Sequence, residues 1–166
     1  MKFKDFELKV DNHFIAMQYY GLILNRTYIV LITKDLFIGI KVNGLVSVEA
    51  GGGNKLAHRI TREIVNTMTI KADLQNPYSY VKSKYIDKVD EFELLDGSIL
   101  TQSKSNFIIR REDITNVYYD PKEKWGIGYY PHDGKVYVET KDGRKLEFII
   151  LGNQSGQKIV DNILKK

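Results

Sequence analysis

The chain has 166 residues, 43% of them hydrophobic and 28% charged, and it contains no cysteine. That length and balance fit one globular domain with its own core, and they exclude a disordered or fibrous chain, a disulfide framework and a cysteine nucleophile. The formal charge is +4, and the surplus lies wholly in residues 1–83, where eleven Lys and Arg face seven Asp and Glu. No clustered basic stripe accompanies this excess, so nucleic acid is not an expected partner.

The chain opens Met1-Lys2-Phe3-Lys4-Asp5, with charges where a secretory signal would carry its apolar run. No apolar stretch approaches the roughly 18 residues of a membrane span. A cytoplasmic setting is the expectation. Phe6, Leu8 and Val10 alternate with charged residues and read as a first strand, and His13 to Tyr20 reads as a second extended segment. Tyr28 to Thr33 and Leu36 to Val42 are rich in β-branched and aromatic residues and are separated by Lys34-Asp35, which suits a tight hairpin. Both runs are apolar at nearly every position, which predicts strands central to a sheet rather than at its edge.

From Gly51 the pattern changes. Gly51, Gly52 and Gly53 lead to Asn54, a residue suited to capping a helix, and Leu56, Ile60, Ile64 and Met68 follow at intervals of four. Asn76-Pro77 reads as a second helix start, with Tyr78, Val81, Tyr85, Val89 and Phe92 at spacings of three and four. Residues 51–93 are therefore expected to form a helical insertion in a β protein.

The chain then returns to strands: Ile108 to Arg110, Ile114 to Tyr119, Lys135 to Thr140 and Lys145 to Leu151. Asp96-Gly97, Asp133-Gly134 and Asp142-Gly143 are turn dipeptides. Residues 120–133, with Pro121, Trp125 and Pro131, read as a long loop. Ser155 is placed to cap a final helix whose apolar face is Ile159, Val160, Ile163 and Leu164.

Two stretches of this pattern, together about half the chain, resemble small bacterial domains of the pleckstrin-homology-like family. They are the hairpin Tyr28–Thr33 with Leu36–Ile40, and the run from Phe107–Arg110 through Asp113–Val117, Gly134–Val138 and Lys145–Phe148 to the closing helix. The resemblance implies a mainly β protein with helices: a bent, antiparallel sandwich or partly open barrel of seven strands, capped by the C-terminal helix. It also implies binding or assembly rather than catalysis. Arg26 stands almost alone near the first hairpin, so specific inositol-lipid recognition is not implied.

Two groups of residues are candidates for contact. Gly52 and Gly53 before a helix could present backbone N–H groups to an anion, with Lys55, Arg59 and Arg62 beside them, although a plain loop fits the same residues. The same basic strip beside an apolar one could lie on an anionic membrane. Trp125, with Tyr129 and Tyr130 close behind, has the composition of a partner-contact surface. Catalysis finds no support: His13, His58 and His132 are scattered without metal-ligand spacing, and no nucleophile elbow occurs. The acidic residues Asp87, Asp90, Glu91 and Glu93 read as a solvated face. The expected function is a binding or assembly module for a protein partner or a second copy of this chain, with binding to an anionic membrane lipid or phosphate as the alternative, an unrecognised enzyme as a third reading, and no cofactor or metal.

Overall fold

The computed structural model describes residues 1–19, 24–47, 73–81, 90–122 and 131–165. Seven strands form one antiparallel sheet: β1 (His13–Tyr19), β2 (Leu24–Ile32), β3 (Leu36–Ser47), β4 (Phe107–Arg110), β5 (Ile114–Asp120), β6 (His132–Thr140) and β7 (Lys145–Leu151). Their spatial order is β4-β3-β2-β1-β7-β6-β5, and the sheet curls into a half-barrel. A four-residue helix, α1 (Ile99–Gln102), precedes β4, and the amphipathic helix α2 (Gly156–Leu164) follows β7.

The period of two sorts the side chains into two cores. Phe14, Ala16, Tyr28, Val30, Phe37, Phe107, Val136, Val138 and Phe148 face inward, where Ile159, Val160 and Ile163 of α2 cover them. Phe148 meets Phe14 edge-on at 5.6 Å and Phe37 at 5.9 Å. Ile15, Met17, Ile29, Leu31, Ile38, Ile40 and Ile149 face outward and are covered by Phe3, Tyr80, Leu94 and Ile99. Hence β1, β2, the first half of β3 and the end of β7 are buried on both faces, which is why their sequences are apolar without alternation. In β6 the burial alternates strictly from Gly134 to Thr140, because only its inner face is covered. Each fully buried Phe or Ile contributes about 1.5–3 kcal/mol, so the doubly covered strands carry most of the stability.

Several expectations are corrected. Phe6, Leu8 and Val10 form no strand: Phe3–Asp5 is a 3-10 turn, and Val10 is 95% exposed. The Asn12 side chain decides this, accepting from Lys9 N at 2.7 Å and donating to Glu7 O at 2.9 Å, so the segment turns instead of extending. Asn76 caps as anticipated, accepting from Tyr78 N, but the helix is a 3-10 turn over Pro77–Tyr80 that ends with Val81 extended. Residues 90–92 are also not helical, and Glu93 forms a β-bridge with Lys2; the rest of the expected 51–93 insertion lies outside the described residues. Asp133-Gly134 is not a hairpin turn. It is a bulge inside β6, where Gly134 has φ +59° and its backbone approaches Asp120 and Pro121 so closely that no Cβ fits. Ser155 does cap α2, accepting from Lys158 N, while Leu164 is 55% exposed.

The sheet's two edge strands are consecutive in the chain. Only the 3-10 turn Arg111–Asp113 separates β4 at one edge from β5 at the other, so the sheet must curl until its edges nearly meet. Arg111 fastens that seam. One guanidinium nitrogen donates to Thr33 O at 3.0 Å, and the other to Ile163 O and Lys165 O at 2.5 Å each. It thereby ties the β2–β3 turn to the last carbonyls of α2, where a cation also meets the negative end of the helix dipole.

Two outcomes are expected. Arg111→Ala should lower the unfolding free energy by about 2 kcal/mol or more, from the loss of charge-assisted bonds, and Arg111→Lys should restore less than half, because an ammonium cannot fork to both carbonyl sets; denaturant titration measures both. Near the N-terminus, hydrogen bonds and charges from Lys2 and Lys4 hold the Glu91 carboxyl down to about 2, against an ordinary value of 4.5. A carboxyl depressed on folding stabilises fully above its unfolded value and loses that effect as pH falls through its folded one. Between about pH 4.5 and 2, amide protection of Phe3 and Lys4, which donate to Phe92 O and Asp90 O, should therefore fall before that of the sheet. Glu91→Gln should remove this step from the exchange profile.

Candidate functional site

The residues singled out in the sequence for contact, Gly52, Gly53, Lys55, Arg59, Arg62, Trp125, Tyr129 and Tyr130, lie outside the described residues. The described residues offer a different candidate, built around the seam and strand β5.

β5 is an edge. It pairs with β6 from Ile114↔Thr140 to Asp120↔Lys135, and among the described residues no strand pairs along its other side. Unpaired edge amides and carbonyls are a template for another extended chain. At the start of β5 a cleft of about 500 Å³ opens over the seam, floored by Leu36, Ile114, Ile163 and Leu164 and rimmed by Lys34, Asp35, Arg110 and Glu112. Arg110 is partly neutralised by Glu112 and Asp113, both at 3.1 Å, so the rim carries mixed charge around an apolar floor.

The solvent face beside this edge is stiffened by its own contacts. Tyr118 and Tyr137 are direct cross-strand partners with rings stacked at 4.8 Å. Lys145 Nζ stands 5.3 Å and 5.1 Å from the two ring centroids and 3.1 Å from Glu139. Hydrogen bonds to Tyr118 and Glu139 push the Lys145 ammonium above its ordinary value, and those from Asn116 and Lys145 hold Glu139 below its own. Both groups stay charged at neutral pH, and the cluster satisfies itself.

Asp133, on the β6 bulge, sets where α2 starts. One oxygen accepts from the Tyr119 hydroxyl and the other from Gly156 N, each at 2.7 Å. Burial first, and the neighbouring Asp133 second, push Tyr119 up to about 12, so it remains a neutral donor. The bulge thus aims a carboxylate at both the edge strand and the helix N-terminus.

Sequence reasoning missed Arg111, Tyr118, Tyr137 and Lys145. The tyrosines were accessible to it, since they occupy the outward positions of strands whose inward positions are Val117, Val136 and Val138. Arg111 carried no signal, because it sits in the charged run Arg110-Arg111-Glu112-Asp113.

Among the described residues no group of three or more His, Asp or Glu side chains could hold a metal ion, and no helix is long and apolar enough to cross a membrane. What the arrangement offers is a strand edge with no strand partner among the described residues, beside an apolar cleft. In comparisons with known proteins, no family model, no curated protein and no solved structure matches the chain.

Proposed function

We propose that the protein is a non-catalytic binding or assembly module of pleckstrin-homology-like architecture, which receives an extended segment of a protein chain along β5. The architectural part is supported by the meander order of the strands and by a closing helix that packs on the inner face of the curled sheet. The functional part rests on one observation, the edge of β5, which has no strand partner among the described residues and ends at the seam cleft. A strand added there would gain main-chain hydrogen bonds along the regular stretch Asn116–Asp120 and could place one apolar side chain over Ile114, Ile163 and Leu164. The segment comes from a second copy of this chain or from another protein.

Light scattering on a sizing column across a concentration series tests the first source, with amide exchange of residues 114–120 measured alongside. Self-association predicts a mass rising above 19.2 kDa, slowed exchange in β5 of the heavier species, and return to monomer in Leu164→Asp. A constant 19.2 kDa assigns the segment to another chain. A heavier species with unchanged β5 exchange rejects the edge as the contact.

A further inference from the structure

A second cleft, of about 360 Å³, lies along α2 from Ser155 to Asn162, between that helix, the Pro77–Tyr80 turn and the turn at residues 9–12. Its size falls at the lower end of the range for small-molecule sites. Ser155, Ile159 and Asn162 follow at helical spacing on one side of α2, with Lys158 beside them, and all four line the cleft.

The lining is asymmetric in charge. Among the described residues it contains Lys9 and Lys158 and no carboxylate. Lys9 is neutralised by Glu7 at 3.0 Å, whereas Lys158 makes no ion pair with any described residue. Asp161, the nearest acid along the helix, accepts from Gln157 at 3.0 Å and does not line the cleft. Among the described residues the side-chain amides of Asn153 and Asn162 likewise have no partner, and each has two donors to offer. The helix N-terminus is not part of this surplus, because Asp133 and Ser155 already occupy it.

The floor and walls are fixed. Gln154 spans the gap to β1, accepting from Ile15 N at 2.8 Å and donating to Ile15 O and Leu151 O at 2.7 Å each. His13 Nδ1 donates to Lys9 O at 2.6 Å, which leaves Nε2 to accept from the Tyr78 hydroxyl. Burial holds the imidazole below its ordinary value, consistent with that neutral tautomer. Tyr78 is thereby held at the rim at 47% exposure, beside Leu8 at 38% and Val10 at 95%. Exposed apolar side chains gathered at one cleft mark a contact surface, unlike the same residues scattered singly.

We propose that this cleft binds a small amphiphilic anion, a carboxylate or phosphate monoester with a short apolar chain. The head meets Lys158, Asn153 and Asn162, and the chain lies against Leu8, Val10 and Tyr78. Among the described residues, donors without a side-chain partner and one unbalanced cation select the head, and the apolar rim selects the tail. The site is separate from the β5 edge and does not depend on the reading given to that edge.

Octyl phosphate, octanoate, inorganic phosphate and octanol serve as probes in titrations of the full chain, followed by calorimetry and by the His13 imidazole nitrogen resonances. Saturable binding of octyl phosphate or octanoate is expected, with the His13 shift following the same curve. Inorganic phosphate and octanol, each lacking one half, should bind at least about tenfold more weakly. Lys158→Gln and Val10→Asp alter exposed side chains and should each weaken binding about tenfold, the loss of one charge-assisted bond or of the apolar contact. Vesicles with and without anionic lipid identify the source of the head: vesicle binding that octyl phosphate displaces assigns it to a lipid, and indifference to vesicles assigns it to a soluble anion. The proposal is overturned by absence of saturable binding, by wild-type affinity in both variants, or by vesicle binding that octyl phosphate does not displace.

Discussion

The three-residue passage from β4 to β5 is the constraint on which the rest of the molecule depends. In a flat seven-stranded sheet those two strands would stand about six strand spacings apart, roughly 28 Å, and three residues span at most about 11 Å. The sheet therefore has to curl. Strand twist supplies the direction, and bulges in β2–β3 and β6 concentrate the bend where ladder pairing is already interrupted. Arg111 then holds the result, because its guanidinium reaches the β2–β3 turn and the end of α2 from within the linking turn itself.

Curling sets what is buried and what is left open. The concave face becomes a narrow trough that one short helix can cover, and nine residues of α2 are enough to bury Ile159, Val160 and Ile163. The convex face needs separate cover, which Phe3, Tyr80, Leu94 and Ile99 supply from segments outside the sheet. α2 runs beside β5, with Gly156 against the Tyr119 ring at one end and Ile163 near Ile114 at the other, while among the described residues no strand pairs with its outer side and its solvent face carries the Tyr118–Tyr137–Lys145 stack. A register shift in the β5–β6 ladder between Ile114 and Asn116 interrupts the start of this edge, and the regular stretch from Asn116 to Asp120 carries no proline.

The sequence revealed the sheet better than its ends. Lys145–Leu151 and the Lys34-Asp35 hairpin were legible because apolar content and turn chemistry agree there. β2 begins at Leu24, four residues before the apolar run, because Asn25 and Thr27 are polar yet fully buried in the strand, a placement that composition conceals. β3 likewise runs past Val42 through Asn43 and Gly44 to Ser47. The N-terminal alternation misled because three alternating residues cannot outweigh one well-placed Asn12 turn. The seam cleft was invisible for a different reason: its lining comes from residues 34–36, 110–114 and 163–164, which only the closure of the sheet brings together.

Both candidate surfaces lean on α2, the edge cleft at Ile163 and Leu164 and the second cleft along its side from Ser155 to Asn162. That sharing does not make them communicate. The helix is tied at its start through Gly156 to Asp133, at its end through Arg111, and between them by three buried apolar side chains. Moving it enough to carry a signal would break charge-assisted bonds worth about 1.5–3 kcal/mol each, as much as or more than a typical allosteric coupling of about 1–3 kcal/mol. A helix held this way acts as a fixed beam, so occupancy of one candidate surface should leave affinity at the other unchanged.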